Sequence, residues 1–299
     1  MAYPSTIQAI TITETGGPEV LEKTEIPRGI YPPDKFPFVI GVEVSGTIVR
    51  LPTDPAVLND PDYQKREYKH GSRVAVDSLS SHAEYISVAW KTAYPVPESI
   101  TARTAAASLI QGLTAISFME ESYNVQKGDI ILIHTIAGGL GLLMCQFAKY
   151  RGAMVIGTTS NGADHVITYK EEDTVARVLD ITNDEGVHAI FDGVGKDTFE
   201  ADFRMIRRKG TLVSMGGASG PVPPFAPLKL SEKNVRIVRP RMSNYAYTPS
   251  ESLYYGDALF SPPPLIHKEY PFTAEGAREA HMDLIGGKTV GKLLIKVGN

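Results

Sequence analysis

The residues with the clearest potential for chemistry form a glycine-rich loop, Ala137–Gly141. The loop follows an apolar run, Ile130–His134, and precedes a helical run, Leu142–Tyr150. A helix start offers backbone N–H groups to a phosphate, and glycines let the main chain approach it closely. Ile136 stands where a GxGxxG fingerprint has its first glycine. The strand-loop-helix context favours a dinucleotide-binding loop over the alternative, a glycine-rich turn that serves packing alone.

The end of the next predicted strand indicates which dinucleotide is bound. That strand ends in Gly157-Thr158-Thr159-Ser160, without an acidic residue. A carboxylate there would accept a hydrogen bond from the ribose 2′-OH of NAD, but it would repel the 2′-phosphate of NADP. The hydroxyl residues therefore favour NADP(H). Tyr169 ends the following run and is either a second partner of that phosphate or a tyrosine whose hydroxyl faces water.

The cysteine and histidine content argues against a metal centre. The chain has one cysteine, Cys145, so an intrachain disulfide and any zinc site with two thiolates are impossible. The seven histidines show no HExxH or zinc-finger spacing. We therefore expect no metal. His134, at the end of a buried strand, is predicted to be a hydrogen-bonded core residue, and Cys145 a small apolar one.

The residue pattern divides the chain into two parts. Residues 7–100 are rich in Pro, Gly and β-branched types, which predicts short strands at Ile7–Thr13, Val39–Val49, Arg73–Asp77 and His82–Val88. From Thr104 onward, strand-like and helical runs alternate, which predicts a parallel sheet covered on both faces. The predicted helices are Ala105–Met119, Leu140–Tyr150, Thr174–Ile181 and Thr198–Arg207; the predicted strands are Ile130–His134, Met154–Thr158, His165–Tyr169, Ala189–Gly193, Thr211–Met215 and Val235–Val238.

Length and composition set the broad class. A chain of 299 residues predicts two domains, and 42% hydrophobic with 21% charged residues is typical of a globular protein. The formal net charge of −4 gives no basic excess for nucleic acid. No apolar run reaches the roughly 18 residues of a membrane span, and the first residues do not resemble a signal peptide. We expect a soluble cytoplasmic protein.

Motifs along the whole chain resemble the zeta-crystallin-type quinone oxidoreductases, which are zinc-free members of the medium-chain dehydrogenase/reductase family. The motifs that carry the resemblance are Gly16-Gly17-Pro18-Glu19-Val20-Leu21, Ile30-Tyr31-Pro32-Pro33, Gly41-Val42-Glu43, Gln111-Gly112-Leu113-Thr114-Ala115, His134–Gly141, Phe191–Glu200, Gly210–Gly220, Arg239-Pro240 and Gly287–Leu293.

The resemblance implies an α/β fold, with a doubly wound Rossmann sheet inserted into a GroES-like, mainly-β substrate domain. The Rossmann domain would span 112–245, and the substrate domain 1–111 plus 246–299. Family members bind NADPH in the interdomain cleft and pass a hydride directly to a quinone. Zinc-containing relatives have Gly-His-Glu where this chain has Gly41-Val42-Glu43, which is consistent with a metal-free site. A homodimer would form through the edge strand Val235–Val238.

The resemblance also implies a set of contact residues. No catalytic residue is assigned, because a quinone oxygen can take its proton from solvent. Tyr31 would line the quinone site, or else anchor its loop by packing. The cofactor contacts would be Gly138, Gly139 and Leu140 at the pyrophosphate, Ser160 and Tyr169 at the adenosine phosphate, Gly193, Met215, Gly216 and Gly217 on the nicotinamide side, and Met242 and Gly291 from later segments.

Two departures from the family pattern affect this set. The family usually has Phe-Gly-Asn where this chain has Met215-Gly216-Gly217, so an amide side chain is lost. The lysine that usually follows the second strand of the Rossmann domain has no counterpart here.

Other functions remain open from the sequence. The same site would suit reduction of enones or alkenals, and a non-catalytic NADPH-binding protein would carry the same motifs. Some relatives bind AU-rich RNA, and Arg207-Arg208-Lys209 with Arg236, Arg239 and Arg241 form basic clusters. The net negative charge of the chain does not favour RNA as a partner.

The spacing of two predicted strands conflicts with a parallel sheet. Only Asn161 to Asp164 separate the strand that ends near Ser160 from the strand that begins near His165. Parallel neighbours need a crossover of about a dozen residues or more. Either these strands are not parallel neighbours, or a helix is absent. Family members also have further residues after the positions of Pro27 and Ser261. We hypothesise that the molecule contains additional segments at these three points.

Overall fold

A computed structural model describes residues 4–27, 35–134, 136–158, 163–259, 266–286 and 289–297. The chain divides into two compact units. Unit 1 comprises Met1–Ile110 with Thr248–Asn299, and unit 2 comprises Gln111–Tyr247. Among the described residues, no helix is both long enough and apolar enough to cross a membrane.

Unit 2 is built on a six-stranded parallel sheet with the order β12-β11-β10-β7-β8-β9. This is a doubly wound, Rossmann-type order, as the sequence predicted. Its strands are β7 (Ile130–Ile133), β8 (Met154–Thr158), β9 (His165–Ile167), β10 (Val187–Asp192), β11 (Ile206–Ser214) and β12 (Arg236–Val238). Its helices are α4 (Gly139–Tyr150), α5 (Thr174–Ile181), α6 (Phe199–Met205) and α7 (Met242–Tyr245). The helix α3 (Ala102–Ser117) enters from unit 1 and continues into a π-helical turn, Phe118–Ser122.

Each face of this sheet has its own hydrophobic core. On one face, α4 contributes Leu143 and Met144 to a cluster with the strand residues Ile131 and Val155. On the other face, α5 and α6 pack on strand residues that include Ile156. Alternation along a strand sends successive side chains to opposite faces, so a buried parallel sheet needs apolar residues at nearly every position.

The strands β8 and β9 are parallel neighbours, with Gly157 opposite Val166, although only six residues separate them. Among the described residues, no helix lies between these two strands. Val166 points to the α4 face and is 39% exposed, whereas Ile167 points to the other face and is fully buried. The sequence left open that these two strands are not parallel neighbours. The structure excludes this, because the strands do pair in parallel.

Unit 1 contains three small sheets. Two are antiparallel, with the orders β2-β1-β3 and β4-β5-β6, and the third is the parallel pair β13-β14. The strands are β1 (Thr6–Ile12), β2 (Glu22–Pro27), β3 (Phe38–Val39), β4 (Glu43–Thr47), β5 (Arg73–Asp77), β6 (Ala93–Pro95), β13 (Ile266–Pro271) and β14 (Lys292–Lys296). The helices are α1 (Pro55–Leu58), α2 (Pro61–Gln64), α8 (Pro249–Ala258) and α9 (Ala274–Ile285).

One predicted strand of unit 1 is wrong. His82–Val88 contains only an isolated bridge between Ala83 and Ala9. Ile86 instead packs against two separate apolar clusters. The alternation of apolar and polar residues reflected this irregular packing rather than sheet pairing.

The C-terminal strand β14 returns to the N-terminal strands of unit 1. Lys292 forms an ion pair with Glu43, and both side chains are largely buried. The second carboxylate oxygen of Glu43 accepts a 2.9 Å hydrogen bond from the N–H of Ile110 in α3. Glu43 lies directly opposite Asp77 in the β4-β5 ladder. Burial, followed by the charge of Glu43, raises the pKa of Asp77 to about 6.

This pKa predicts a pH dependence of stability. The folded state holds the Asp77 proton more tightly than the unfolded state, so the contribution is complete below about pH 4 and is lost as pH rises through 6. Asp77→Asn should therefore be more stable than the wild type at pH 7.5 and similar to it near pH 4. Urea unfolding across this range measures the difference, with Asp257→Asn as the exposed control in the same unit. A difference that does not change with pH would contradict the prediction.

The short β8-β9 connection supports the hypothesis of additional segments. We expect electrospray mass spectrometry of the natural protein to give a mass above the 32.5 kDa of these 299 residues. Peptide mapping would then find the extra residues between β8 and β9, where a helix would cover Val166. The other two points, after Pro27 and Ser261, lie at or within segments outside the described residues. A mass of 32.5 kDa would rule out all three insertions.

Candidate functional site

The glycine loop connects the buried strand β7 to the start of α4. Gly138 is the N-cap of α4, with φ −69° and ψ 159°, and as a glycine it has no side chain with which to cap the helix. The first N–H groups of a helix have no intrahelical acceptor, so this helix start is suited to an anionic ligand. A Cβ added at Gly139 would lie 2.4 Å from Oε1 of Gln111. The end of the Gln111 side chain therefore lies directly against Gly139, in the space that a Cβ would take.

The structure explains why Ile136 replaces the first fingerprint glycine. Ile136 is fully buried in the core beside α4. A Cβ added at Gly157 of β8 would lie 2.7 Å from Ile136 side-chain carbons. The space of an absent side chain on β8 is thus filled by Ile136, and the fingerprint position has become a packing position.

The loop lies at the switch point of the sheet, where the order of the strands reverses. The strands β7 and β10 are paired neighbours, and the chain leaves them toward opposite faces, with α4 on one and α6 on the other. In open α/β sheets, the carboxyl ends of the strands at such a switch point form the ligand-binding crevice. His134 follows β7, and Asp192 ends β10, so both lie at this crevice.

Asp192 connects two loops at the carboxyl edge of the sheet. Its fully buried carboxylate accepts hydrogen bonds from the N–H of Val194 at 2.8 Å, the N–H of Gly195 at 3.1 Å and the hydroxyl of Thr198 at 2.9 Å. Its backbone carbonyl accepts from the N–H groups of Met215 and Gly216, which follow β11. Hydrogen bonds to an ionised group of this kind are each worth about 1.5–3 kcal/mol.

The loops after β10 and β11 approach each other through glycines. A Cβ added at Gly216 would lie 2.3 Å from the carbonyl oxygen of Gly193. Arg239 holds the same loop from the other side, because its guanidinium donates to the carbonyls of Ser214, at 2.8 Å, and Gly216, at 2.6 Å. Both loops are therefore fixed by hydrogen bonds to their backbone groups, and these bonds do not depend on the side chains of the loop residues.

His134 is a buried, hydrogen-bonded residue, as predicted. Its Nε2 lies 2.9 Å from Oδ1 of Asp202, which is on α6, and its Nδ1 lies 3.2 Å from the hydroxyl of Thr158 at the end of β8. His134 is 2% exposed and Asp202 is fully buried. Burial raises the pKa of Asp202 to about 6, although the hydrogen bond from His134 acts in the opposite direction.

The structure brings most of the predicted contact residues of unit 2 to this edge of the sheet. Leu140, Met215 and Met242 border the same hydrophobic core. The glycines predicted at the pyrophosphate and on the nicotinamide side lie in the loops just described; they are Gly138, Gly139, Gly193, Gly216 and Gly217. Tyr169 lies in a turn after β9 and is 53% exposed.

Three other predicted positions are Gly291, Tyr31 and Ser160. Gly291 precedes β14 in unit 1, with φ +93°, a backbone conformation that favours glycine. Tyr31 and Ser160 lie outside the described residues.

Sequence reasoning missed several residues that shape the edge. It assigned no role to Asp202, and it included Asp192 and Arg239 only as members of family motifs and, for Arg239, of a basic cluster. A usable signal was present at Asp192, an acidic residue at the end of a fully apolar strand and directly before a glycine. A carboxylate in that position must be buried, and a buried carboxylate requires donors close by.

Comparison with known proteins identifies the family. A quinone oxidoreductase of Salmonella typhimurium is 35% identical over 251 residues, which cover 80% of this chain and 74% of the relative. A probable quinone oxidoreductase of Schizosaccharomyces pombe is 32% identical over 288 residues, covering 91% of this chain and 84% of the relative. The chain belongs to the zinc-free quinone oxidoreductases of the medium-chain dehydrogenase/reductase family. A family model described as zinc-binding dehydrogenase also matches residues 139–253.

Solved structures of this family share the fold. A mycobacterial protein complexed with NADPH superposes with a TM-score of 0.87 at 32% identity, covering 97% of this chain and all of that chain. The Escherichia coli quinone oxidoreductase complexed with NADPH superposes with a TM-score of 0.83 at 28% identity and the same coverage. These matches confirm the α/β fold class.

The close approach of Gly216 to Gly193 predicts a position-specific effect. Gly216→Ala should destabilise the protein by about 2–4 kcal/mol, because the added methyl group would overlap a backbone carbonyl that cannot move away. Gly217→Ala is the matched control. Its Cβ would have no neighbour closer than 3.4 Å, so we expect a change within about 0.5 kcal/mol. Chemical unfolding of both variants measures the contrast, and equal effects would contradict the close approach.

Proposed function

We propose that this chain is an NADPH-dependent quinone reductase that transfers a hydride directly from NADPH to a quinone. The observation that carries the proposal is the start of α4 at Gly138, an N-cap without a side chain, located at the switch point of the parallel sheet. Membership of the quinone oxidoreductase family supports the reaction, and relatives solved in complex with NADPH support the cofactor.

The cradle of backbone at the carboxyl edge of the sheet fits a dinucleotide. Gly138, Gly139 and Leu140 would hold the pyrophosphate with their N–H groups. Gly193 and the loop Met215–Gly217 would lie along the nicotinamide ribose. In these loops a side chain at Gly139 or Gly216 would meet neighbouring atoms at 2.4 or 2.3 Å. The absence of side chains leaves the main chain able to approach the ligand.

The remaining contacts are proposals of the same kind. Met242 would reach the cofactor from α7, and Gly291 from the start of β14. Tyr169 and Ser160 would bind the 2′-phosphate, and Tyr31 would line the quinone site.

When bound, NADPH supplies the hydride, and the protein supplies alignment and exclusion of water. Asp192 and Arg239 fix the two loops on the nicotinamide side through backbone groups. The quinone oxygen takes its proton from solvent, so no side chain is assigned as a general acid. Gly41-Val42-Glu43 has Val42 where zinc-containing relatives have histidine, in keeping with direct transfer.

Two further inferences concern the oligomeric state of the protein and its location in the cell. The strand β12 is the edge strand of the unit 2 sheet, and pairing with the same strand of a second chain would make a homodimer. We infer a cytoplasmic protein. Size-exclusion chromatography with light scattering tests the dimer.

The activity is tested by NADPH oxidation with phenanthrenequinone as the electron acceptor. We expect turnover that depends on both substrates, and a lower catalytic efficiency with NADH. An acyclic enone tested in parallel addresses the enone-reductase alternative, and a higher efficiency with the enone would favour it. Tight NADPH binding without turnover of either acceptor would contradict the proposal and would indicate a sensor.

A further inference from the structure

Three ionisable side chains meet in the interior beside the glycine loop. His134 follows β7, Asp192 ends β10 and Asp202 lies on α6, and ligand-type atoms of all three lie within 4.8 Å of one another. None of the three is more than 2% exposed. His134 precedes Gly138 by four residues, so this buried cluster adjoins the loop that would hold the pyrophosphate.

The hydrogen-bond partners differ sharply between the two aspartates. The carboxylate of Asp192 accepts from two N–H groups and one hydroxyl. Asp202 accepts from His134 through Oδ1, but its other oxygen, Oδ2, is buried and has no hydrogen-bond partner within the described part of the chain. A buried carboxylate oxygen without a donor is unfavourable when the group is ionised.

The charges of the cluster do not balance if the histidine is neutral. The carboxylate of Asp192 accepts from three donors. Asp202 lies beside this carboxylate, and its hydrogen-bond partner among the described residues is His134, whose ring is charged only when both nitrogens are protonated. Thr158, which contacts the other ring nitrogen, carries no charge. One additional proton, shared between His134 and Asp202, would remove this imbalance.

We propose that His134 and Asp202 are positioning residues for the dinucleotide, and that this pair takes up one proton when the dinucleotide binds. Through Thr158, the pair joins the ends of β7 and β8 to the helix α6, and β7 leads directly into the glycine loop. This inference rests on the proposed function, because it requires a dinucleotide at that loop.

The physical reason for proton uptake is electrostatic linkage. Bound phosphates bring negative charge near a buried pair that is poorly screened by solvent, so they raise its affinity for a proton. Linkage is reciprocal, so the protonated pair binds the dinucleotide more tightly. The proton comes from the acid form of the buffer, and no bond other than N–H or O–H forms. Burial and the nearby Asp192 raise the pKa of Asp202 to about 6, which places the uptake close to neutral pH.

Isothermal titration calorimetry tests the proposal directly on the wild-type protein. The dinucleotide is titrated at pH 6.5 in two buffers that differ in ionisation enthalpy. Proton uptake makes the observed enthalpy depend on the buffer, and we expect a substantial fraction of one proton per dinucleotide. NADH serves as a second ligand, because it lacks the 2′-phosphate whose own titration would contribute. Binding of both ligands without buffer dependence would overturn the proposal.

Variants assign the proton to the pair. Asp202→Asn keeps the shape and a hydrogen bond to His134, but it cannot be ionised. We expect the proton uptake to be abolished, because the variant pair carries the net charge of the protonated wild-type pair at every pH. At high pH, where the wild-type pair is unprotonated, NADPH should bind the variant about tenfold more tightly than the wild type, equivalent to about 1.4 kcal/mol. Glu200→Gln, on the same helix, is the matched control, since the Glu200 side chain is 72% exposed; both quantities should be unchanged. Uptake that persists in Asp202→Asn would overturn the assignment.

Two further results separate this inference from its alternatives. If Asp202→Asn does not fold, Thr158→Val removes the partner of Nδ1 and should change the proton uptake while leaving NADPH bound. One tightly held metal ion per chain, found by elemental analysis, would also overturn the proposal, because a cation other than a proton would neutralise the cluster. Failure of NADPH and NADH to bind at all would instead contradict the proposed function.

Discussion

The carboxylate of Asp192 is the interaction on which the carboxyl edge of the unit 2 sheet depends. Strands that end side by side leave N–H groups without ladder partners in the loops that follow, and such groups need acceptors where they are buried. Asp192 accepts from the first N–H groups after β10, and its carbonyl accepts from those after β11. One fully buried residue therefore determines the course of two loops, and the glycines can approach because their backbones are already held.

The buried carboxylate of Asp192 places a negative charge next to a site suited to an anionic ligand. The helix start at Gly138 partly offsets that charge, since the N-terminus of a helix carries a partial positive charge. The basic residue Arg239 adds a cation at the same edge. The net charge of −4 can thus coexist with a site for phosphate.

In unit 1, a comparable role belongs to Glu43. Its two carboxylate oxygens bind Lys292 of the last strand and the N–H of Ile110 in α3, so segments distant in sequence meet at one side chain. Asp77 lies directly opposite, and its burial together with the charge of Glu43 raises its pKa, so it keeps its proton to a higher pH. The pairs Asp192–Asp202 and Glu43–Asp77 thus each place a carboxylate with hydrogen-bond partners beside one whose ionised form is unfavourable. In both cases the unfavourable group is the one expected to respond to pH.

Local patterns in the sequence determined most of unit 2. The runs at Ile130–His134 and Met154–Thr158 are apolar enough to predict buried strands. The glycine loop after the first run predicts the turn from that strand into the next helix. The predicted strand His82–Val88 was wrong because pairing depends on a neighbour that the local sequence does not specify. Only the tertiary structure decided that Ile136 fills the space over Gly157, and that His134 meets Asp202 across 68 residues of chain. Such contacts follow from strand order and helix packing, which join distant residues, and no periodicity within a short window encodes them.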